Sequence, residues 1–298
     1  MLPVWFKSMT SADRSKQLTK TESFTQWTSL AYVLVGMSML LTPSLWGLLW
    51  NVELVGRTGG YMQVGGLALA VEGYLLVMAS RSVHKVPGHG HINITVLTRL
   101  VLVNMSLMKK FQEGVAPLRF LTFFAVLDNT LAAGIFLVWI FKEEGATLGL
   151  FFKEIFSLLF RFPVGCWSSI AVLIAGIIQF PGALYLKDVE RLRIPLNLDP
   201  FLGYSHIFLS FHFSLSVAHA VLYIFNGQAI SRPFNSNCVF YRMTMCVPSI
   251  CILALADRVE TNLAIFLVCV EVGIAAFILV FLCCDKEKSY PGKEDKSK

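Results

Sequence analysis

A chain of 298 residues is long enough for a sizeable soluble core, but 55% of its residues are apolar and only 15% are charged. Because the charges cluster between apolar stretches of about 18 or more residues, the composition excludes an ordinary soluble domain and predicts an integral membrane protein. The net charge of +6 comes from lysines and arginines in tails and loops. No basic stripe is interleaved with aromatic residues, so nucleic acid is excluded as a partner.

The chain begins with a polar segment of mixed charge, residues 1–24, which we expect to be a tail without a cleavable signal peptide. Within it, Thr19 and Glu22 have the spacing of a capping box that begins the first helix slightly before the membrane. Apolar runs broken by polar and turn residues then predict eight transmembrane helices. Their expected bounds are about 27–50, 60–80, 94–111, 118–141, 166–186, 202–225, 238–256 and 261–284.

A linker at residues 144–162 separates the fourth span from the fifth. Its residues Glu154, Ser157 and Arg161 form one polar stripe against bulky apolar residues, which is typical of a helix lying in the membrane interface. Two roles remain open for this helix, a strap that joins two halves and a docking site for a partner. The predicted fold is an all-α integral membrane protein with four helices in 25–143, four more in 163–285, and a C-terminal tail at 286–298.

The two halves show the pattern of an internal duplication. One constant shift along the chain takes Arg99 to Arg242 and Asp128 to Glu271. Because charged residues are rare within transmembrane helices, the common register of both indicates two tandem four-helix repeats. Each half holds an even number of spans, so the two copies are predicted to run parallel, with the same orientation across the membrane.

The lysines and arginines in the tails, in the loops and at the ends of the spans predict the orientation of the chain. On the side of the two tails 15 of them are found, against 8 on the opposite side. Positive charge accumulates on the cytoplasmic side of membranes, so both termini are expected to be cytoplasmic, in the plasma membrane or an endomembrane. The expected partner is the lipid bilayer; a protein partner or a second copy of the chain remains open.

Two pairs of opposite charges are predicted at membrane depth. Arg99 precedes Asp128 by the same interval along the chain as Arg242 precedes Glu271. Because residues equidistant from a hairpin turn lie at equal depth, each acid can face its arginine near the middle of the bilayer. A lone charge there costs about 2.5–3.5 kcal/mol, much of which a bidentate pair offsets. Two interpretations remain open: each pair clamps its hairpin, or the charges line a transport pathway.

Glu72 breaks this symmetry, because the shift that relates the two halves takes it to Leu215. We expect Glu72 to lie in the middle of the second span, where it can share Arg99 with Asp128. Two interpretations remain open here as well. Glu72 is a proton-carrying or ligand-binding group, or it is a protonated, hydrogen-bonded side chain that only packs.

The other polar residues predict no metal site, no cofactor and no catalytic centre. His212 and His219 lie about 10 Å apart along one helix, too far to share one metal ion, so both are expected to face the bundle interior. No nucleophile, metalloprotease or nucleotide motif is present, and we expect the protein not to be an enzyme. Cys283 and Cys284 end the last span beside a lysine-rich tail, a position that suits S-palmitoylation or simple packing.

Several residues of the first half form a recognisable pattern: Trp27, Gly36, Pro43, residues 59–61 (Gly-Gly-Tyr), Arg99 and Asp128. These residues resemble those of a small four-helix membrane module found in bacterial proteins of unknown function and, more loosely, in animal tumour-suppressor-inducible membrane proteins. The resemblance covers about residues 24–143 and reaches the second half only through the internal repeat. It implies a four-helix fold and no activity.

Two functions are compatible with these patterns. One is a non-enzymatic scaffold or regulatory component in which the charge pairs are structural. The other is a small-solute or ion transporter or channel that uses the intramembrane charges. A water-accessible cavity that reaches Glu72 would favour the second.

Overall fold

A computed structural model describes residues 18–82 and 88–285, and within these ranges the chain is helical without strands. The parts of the tails at 1–17 and 286–298 lie outside the described residues. Eight of the described helices are long and apolar enough to cross a membrane, as predicted, and the protein is a multipass membrane protein. These eight are α1 (Lys20–Leu41), α3 (Thr58–Arg81), α4 (Gly90–Gln112), α5 (Leu118–Lys142), α7 (Trp167–Leu186), α9 (Ser205–Gln228), α10 (Arg232–Leu255) and α11 (Thr261–Cys284). The shorter helices are α2 (Pro43–Trp50), α6 (Leu148–Leu159) and α8 (Glu190–Arg193).

Helix α1 begins with the predicted capping box. The Thr19 hydroxyl accepts a hydrogen bond from the Glu22 backbone N–H at 3.2 Å, and the Glu22 carboxylate accepts one from the Thr19 N–H at 2.9 Å. The helix starts at Lys20, within the predicted tail, and ends at Leu41 rather than near residue 50. Pro43 has no N–H to continue the helix, so α2 begins there as a separate element.

Helices α3 and α9 pack on each other and form the buried centre of the bundle. Helix α1 covers α3, and helix α7 covers α9, both through close backbone contacts at glycine. A Cβ added at Gly36 would meet the backbone of Gly66 and Ala70 on α3, and one at Gly176 would lie 2.8 Å from the carbonyl oxygen of Ala220 on α9. Small residues let helix backbones approach in this way inside membranes, where dispersion contacts drive helix association.

Helices α4 and α10 each contain one π-helical turn, and each turn begins at an arginine. The turns span Arg99–Val103 and Arg242–Cys246, so the shift that relates the repeated charges also relates the two turns. A π-helical turn inside an α-helix inserts one extra residue and is frequent at functional sites. It changes the direction in which the arginine side chain leaves the helix.

The two predicted hairpin turns are present. Gly114, with a φ of +64°, lies between α4 and α5, and Asp257, with a φ of +51°, lies between α10 and α11. Glycine adopts this left-handed region without steric strain, and aspartate is among the few other residues that tolerate it. The turns set the arginine and the acid of each half at similar depth.

Arg57 joins loops of both halves at the face of the bundle away from the termini. Its guanidinium lies 2.9 Å from Asp199, 2.8 Å from Asp257 and 3.4 Å from Glu260. The hydrogen bond to Asp257 raises the pKa of Arg57. Two of the acids are exposed, so these pairs contribute little stability each, and their effect is to hold the loops in register.

The linker forms helix α6, as predicted, and packs on α4 through Phe151, Ile155 and Leu158. Glu154 does not lie on an open polar stripe. Its carboxylate accepts hydrogen bonds from the His89 N–H at 3.1 Å and from the Asn93 side chain at 2.8 Å, at the start of α4. Partial burial raises the pKa of Glu154.

The outer surface of the bundle carries large apolar side chains. Leu34, Val126, Ile178, Leu255 and Val280 are each at least 60% exposed, and each belongs to a spanning helix. A soluble protein rarely exposes so continuous an apolar surface. These side chains are suited to contact lipid, in keeping with the membrane assignment.

Candidate functional site

A cavity of about 370 Å³ lies between helices α3, α4, α5, α7 and α9. Its deep end is lined by Glu72, Arg99 and Asp128, and its outer end by Lys109, Lys110 and Lys187. The stretch of α4 from Arg99 to Lys110 corresponds to roughly 16 Å along the helix axis. The wall between the two ends is mostly apolar, with Leu102, Phe180, Leu184, Ile207 and Phe211.

Arg99 reaches the deep end with unused hydrogen-bonding capacity. Its side chain is buried, and neither Nη1 nor Nη2 has a hydrogen-bond partner in the described part of the chain. The guanidinium carbon lies 4.5 Å above the centre of the Tyr32 ring. A cation over an aromatic face gains about 2 kcal/mol at a desolvated site, which leaves its N–H donors free for another group.

Asp128 is held by Tyr32 of α1 rather than by Arg99. The Tyr32 hydroxyl donates a hydrogen bond to Oδ1 of Asp128, and both side chains are buried. This corrects the predicted bidentate pair, because no hydrogen bond or ion pair joins Arg99 to Asp128 among the described residues. The physical reason is that the Tyr32 hydroxyl competes for the carboxylate while its ring holds the guanidinium.

Glu72 lies within electrostatic range of Arg99, as expected, although no hydrogen bond or ion pair joins the two among the described residues. Its Oε2 lies 3.3 Å from Nε2 of His219 on α9, and this oxygen accepts no hydrogen bond from the described residues. The same His219 nitrogen lies 3.2 Å from the carbonyl oxygen of Ala68, to which it can donate. Glu72 is buried and lines the cavity together with Arg99 and Asp128.

In the second half the structure brings the predicted pair together. The Arg242 Nη1 donates a hydrogen bond to Glu271, and Nη2 donates to the Tyr223 hydroxyl at 2.8 Å and to the Gln179 side chain at 3.2 Å. The guanidinium also lies 5.3 Å from the ring centre of Tyr241. Arg242 is therefore bound on several sides by protein groups, whereas Arg99 lines the cavity and its Nη atoms have no hydrogen-bond partner in the described part of the chain.

His212 and His219 of α9 face the bundle interior, as predicted. His212 and His219 are buried and lie 3.4 Å and 3.2 Å from carbonyl oxygens of Val64 and Ala68 on α3. Within the described residues, no three His, Cys, Asp or Glu side chains are arranged to hold a metal ion. Cys283 and Cys284 are exposed at the end of α11, which leaves both thiols accessible.

Three lysines surround the mouth of the cavity. Lys187 is half-buried and donates a hydrogen bond to the Ser106 hydroxyl at 3.3 Å, while Lys109 and Lys110 each lie 3.6 Å from Glu113. Burial lowers the pKa of Lys187, and the neighbouring lysines lower it further. A second cavity of about 300 Å³ adjoins this mouth and shares its lysines. The lysines give the mouth a positive field, which attracts anions.

Sequence reasoning missed Tyr32 and the lysines at the mouth. Tyr32 lies one helical turn before Gly36 on the same helix face, so its orientation toward α3 could have been predicted from the position of Gly36. The lysines come from α4 and the end of α7, which are far apart in sequence, so no residue spacing predicts that they lie together. Comparison with family models, with curated proteins and with solved structures finds no match for this chain.

Proposed function

We propose that this multipass membrane protein binds a small organic anion in the cavity beside Arg99 and acts as a transporter for it. The observation that carries the proposal is the buried Arg99 guanidinium, whose two Nη atoms have no hydrogen-bond partner among the described residues and which lines the cavity. An unsatisfied charged group in a buried site is costly. A ligand that accepts hydrogen bonds from Arg99 removes that cost.

The shape and lining of the cavity support a specific class of ligand. The forked Nη atoms of arginine match two oxygens of a carboxylate or sulfonate. The apolar wall formed by Phe180, Leu184 and Phe211 suits a hydrocarbon or aromatic body. A cavity of about 370 Å³ is within the range of small-molecule sites, roughly 300–1,000 Å³. The ligand class is therefore an organic monoanion with an apolar body.

The internal duplication gives this proposal a structural context. Both halves have an arginine at the start of a π-helical turn. The Nη atoms of Arg242 are hydrogen-bonded to protein groups, whereas those of Arg99 have no partner among the described residues. We infer two tandem four-helix repeats, of which the second keeps a structural clamp and the first has become a binding site. If both tails are cytoplasmic, the lysine mouth lies on the opposite face of the membrane.

A scaffold or regulatory role is the second candidate, and the Arg242–Glu271 contact favours it. A clamp that only fixes helix packing needs no ligand. This role predicts that no ligand of the cavity affects the protein and that a protein partner or a second copy binds elsewhere on its surface. The two candidates therefore differ in what the cavity does.

Transport can be tested with radiolabelled benzenesulfonate, a fully ionised anion with an aromatic body. We expect uptake into proteoliposomes that contain the wild-type protein, above that of protein-free liposomes. Arg99→Gln should reduce uptake at least about tenfold, because hydrogen bonds to a charged group contribute about 1.5–3 kcal/mol. The matched control is Arg119→Gln, since Arg119 is exposed and lies outside the cavity lining.

Binding is measured in parallel by the thermal stability of the purified protein, because a ligand of the folded state raises its melting temperature. Benzenesulfonate should raise the melting temperature of wild type and Arg119→Gln but not of Arg99→Gln. Equal uptake by Arg99→Gln and wild type would exclude Arg99 as the binding group. No uptake and no stabilisation of wild type would contradict the transporter proposal and leave the scaffold candidate.

A further inference from the structure

The deep end of the cavity holds more acids than bases. Glu72 and Asp128 both line it, and Arg99 is the one cation among the described lining residues at this depth. With both acids ionised, the three groups carry one net negative charge. A bound anion would add a second negative charge at membrane depth, where an uncompensated charge costs about 2.5–3.5 kcal/mol or more. Binding of the anion alone is therefore unfavourable.

The two acids are not equivalent as proton acceptors. Asp128 already accepts a hydrogen bond from the Tyr32 hydroxyl, which stabilises its ionised form. Glu72 has an oxygen, Oε2, that accepts no hydrogen bond from the described residues. A buried carboxylate without such donors gains most from taking up a proton, and Glu72 lines the cavity.

Charged and titratable groups face Glu72 from several helices. They are Tyr32 on α1, Arg99 on α4, Asp128 on α5, His219 on α9 and Tyr241 on α10. His219 is the strongest competitor for a proton, because its Nε2 lies 3.3 Å from Oε2 of Glu72. However, a proton on His219 creates a buried cation, whereas a proton on Glu72 neutralises a buried anion, and burial disfavours charge on either side chain. The geometry therefore favours Glu72 over His219.

We propose that each anion enters together with one proton, which is held on the carboxyl group of Glu72 while the anion contacts Arg99. This inference rests on the proposed anion-binding function and names its second substrate. The proton comes from bulk water through the cavity and bonds to the Glu72 carboxylate, which becomes a neutral acid. The net charge of the deep end is the same before and after binding, since one carboxylate is neutralised as one anion arrives.

Proton uptake can be counted by titrating the purified protein with benzenesulfonate in lightly buffered solution containing a pH-indicator dye. The probe stays ionised throughout, so protons taken up must bind to the protein. We expect about one proton per bound anion for wild type. Above the pH at which Glu72 ionises in the free protein, affinity should fall about tenfold per pH unit.

The Glu72→Gln variant mimics the protonated acid. It should bind benzenesulfonate with no proton uptake and with little dependence on pH. His219→Asn is the matched control, because His219 lies outside the cavity lining, and it should retain uptake of about one proton per anion. Loss of uptake in His219→Asn, with uptake retained in Glu72→Gln, would overturn the assignment to Glu72.

If a variant does not fold, measurements on the wild-type protein alone still test proton coupling. Binding of benzenesulfonate without proton uptake, at constant affinity from pH 5 to 9, overturns proton coupling and leaves the anion-binding function intact. Absence of binding at any pH overturns both. Uptake of one proton per anion supports both.

Discussion

Replacing Arg242 with glutamine is expected to lower the free energy of unfolding by about 3 kcal/mol, whereas Arg99→Gln is expected to change it by less than about 1 kcal/mol. Arg242 donates hydrogen bonds to Glu271, Tyr223 and Gln179, so its loss leaves a carboxylate without its cation. The expected loss of stability lies at the lower end of the range for a broken buried ion pair, because 18% of the Glu271 side chain is exposed. Arg99 has no such bonds at its Nη atoms among the described residues, and removing this unsatisfied buried charge offsets the loss of its contact with the Tyr32 ring.

Equilibrium unfolding in mixed detergent micelles measures both variants under one condition. Glu271→Gln should be as damaging as Arg242→Gln, and the double variant should cost less than the sum, with a coupling of roughly 1–3 kcal/mol. Exposed Arg119→Gln is the neutral control. If Arg99→Gln destabilised the protein as much as Arg242→Gln, both arginines would be structural, and the cavity would lose its main support.

Much of the architecture could be predicted from local patterns. Apolar runs of sufficient length predicted the eight spans, since a bilayer requires about 20 residues of helix. The capping box at Thr19 and the turns at Gly114 and Asp257 depend on residues close in sequence, and all three are present. The depth of Arg242 and Glu271 followed from equal distance to a turn. Features that depend on residues close in sequence could therefore be predicted.

The cavity could not be predicted in the same way from residues close in sequence. Its walls come from both halves, so its existence depends on how far α4 stands from α7 and α9. Asp128 is hydrogen-bonded to Tyr32 rather than to Arg99, and this contact requires that the rotation of α1 bring the Tyr32 hydroxyl to the carboxylate. In the second half, Gly176 makes the close backbone contact that Gly36 makes in the first, and the residue four positions before it is Val172, which has no hydroxyl to compete for Glu271. This is one difference between the paired Arg242 and Arg99, whose Nη atoms have no partner among the described residues.

The rotation of α1 is itself set by close packing at Gly36. An added Cβ at this position would meet the backbone nitrogen of Ala70 and, at 2.5 Å, the carbonyl oxygen of Gly66. Because both neighbours are backbone atoms, no side-chain rotation can relieve the overlap, and α1 must move away from α3. That movement would also carry Tyr32 away from Arg99 and Asp128.

We therefore expect Gly36→Ala to lower the free energy of unfolding by about 3 kcal/mol, at the upper end of the range for overpacking. Gly273→Ala on α11 is the matched control, because no atom of the described residues lies within 4 Å of its added Cβ. Alanine favours helix over glycine by about 0.5–1 kcal/mol, so this control should leave stability unchanged or raise it. Thermal unfolding in lipid nanodiscs compares the two variants. Equal stability of the two would mean that α1 and α3 are not in backbone contact, and that Tyr32 is not held against Asp128 by this packing.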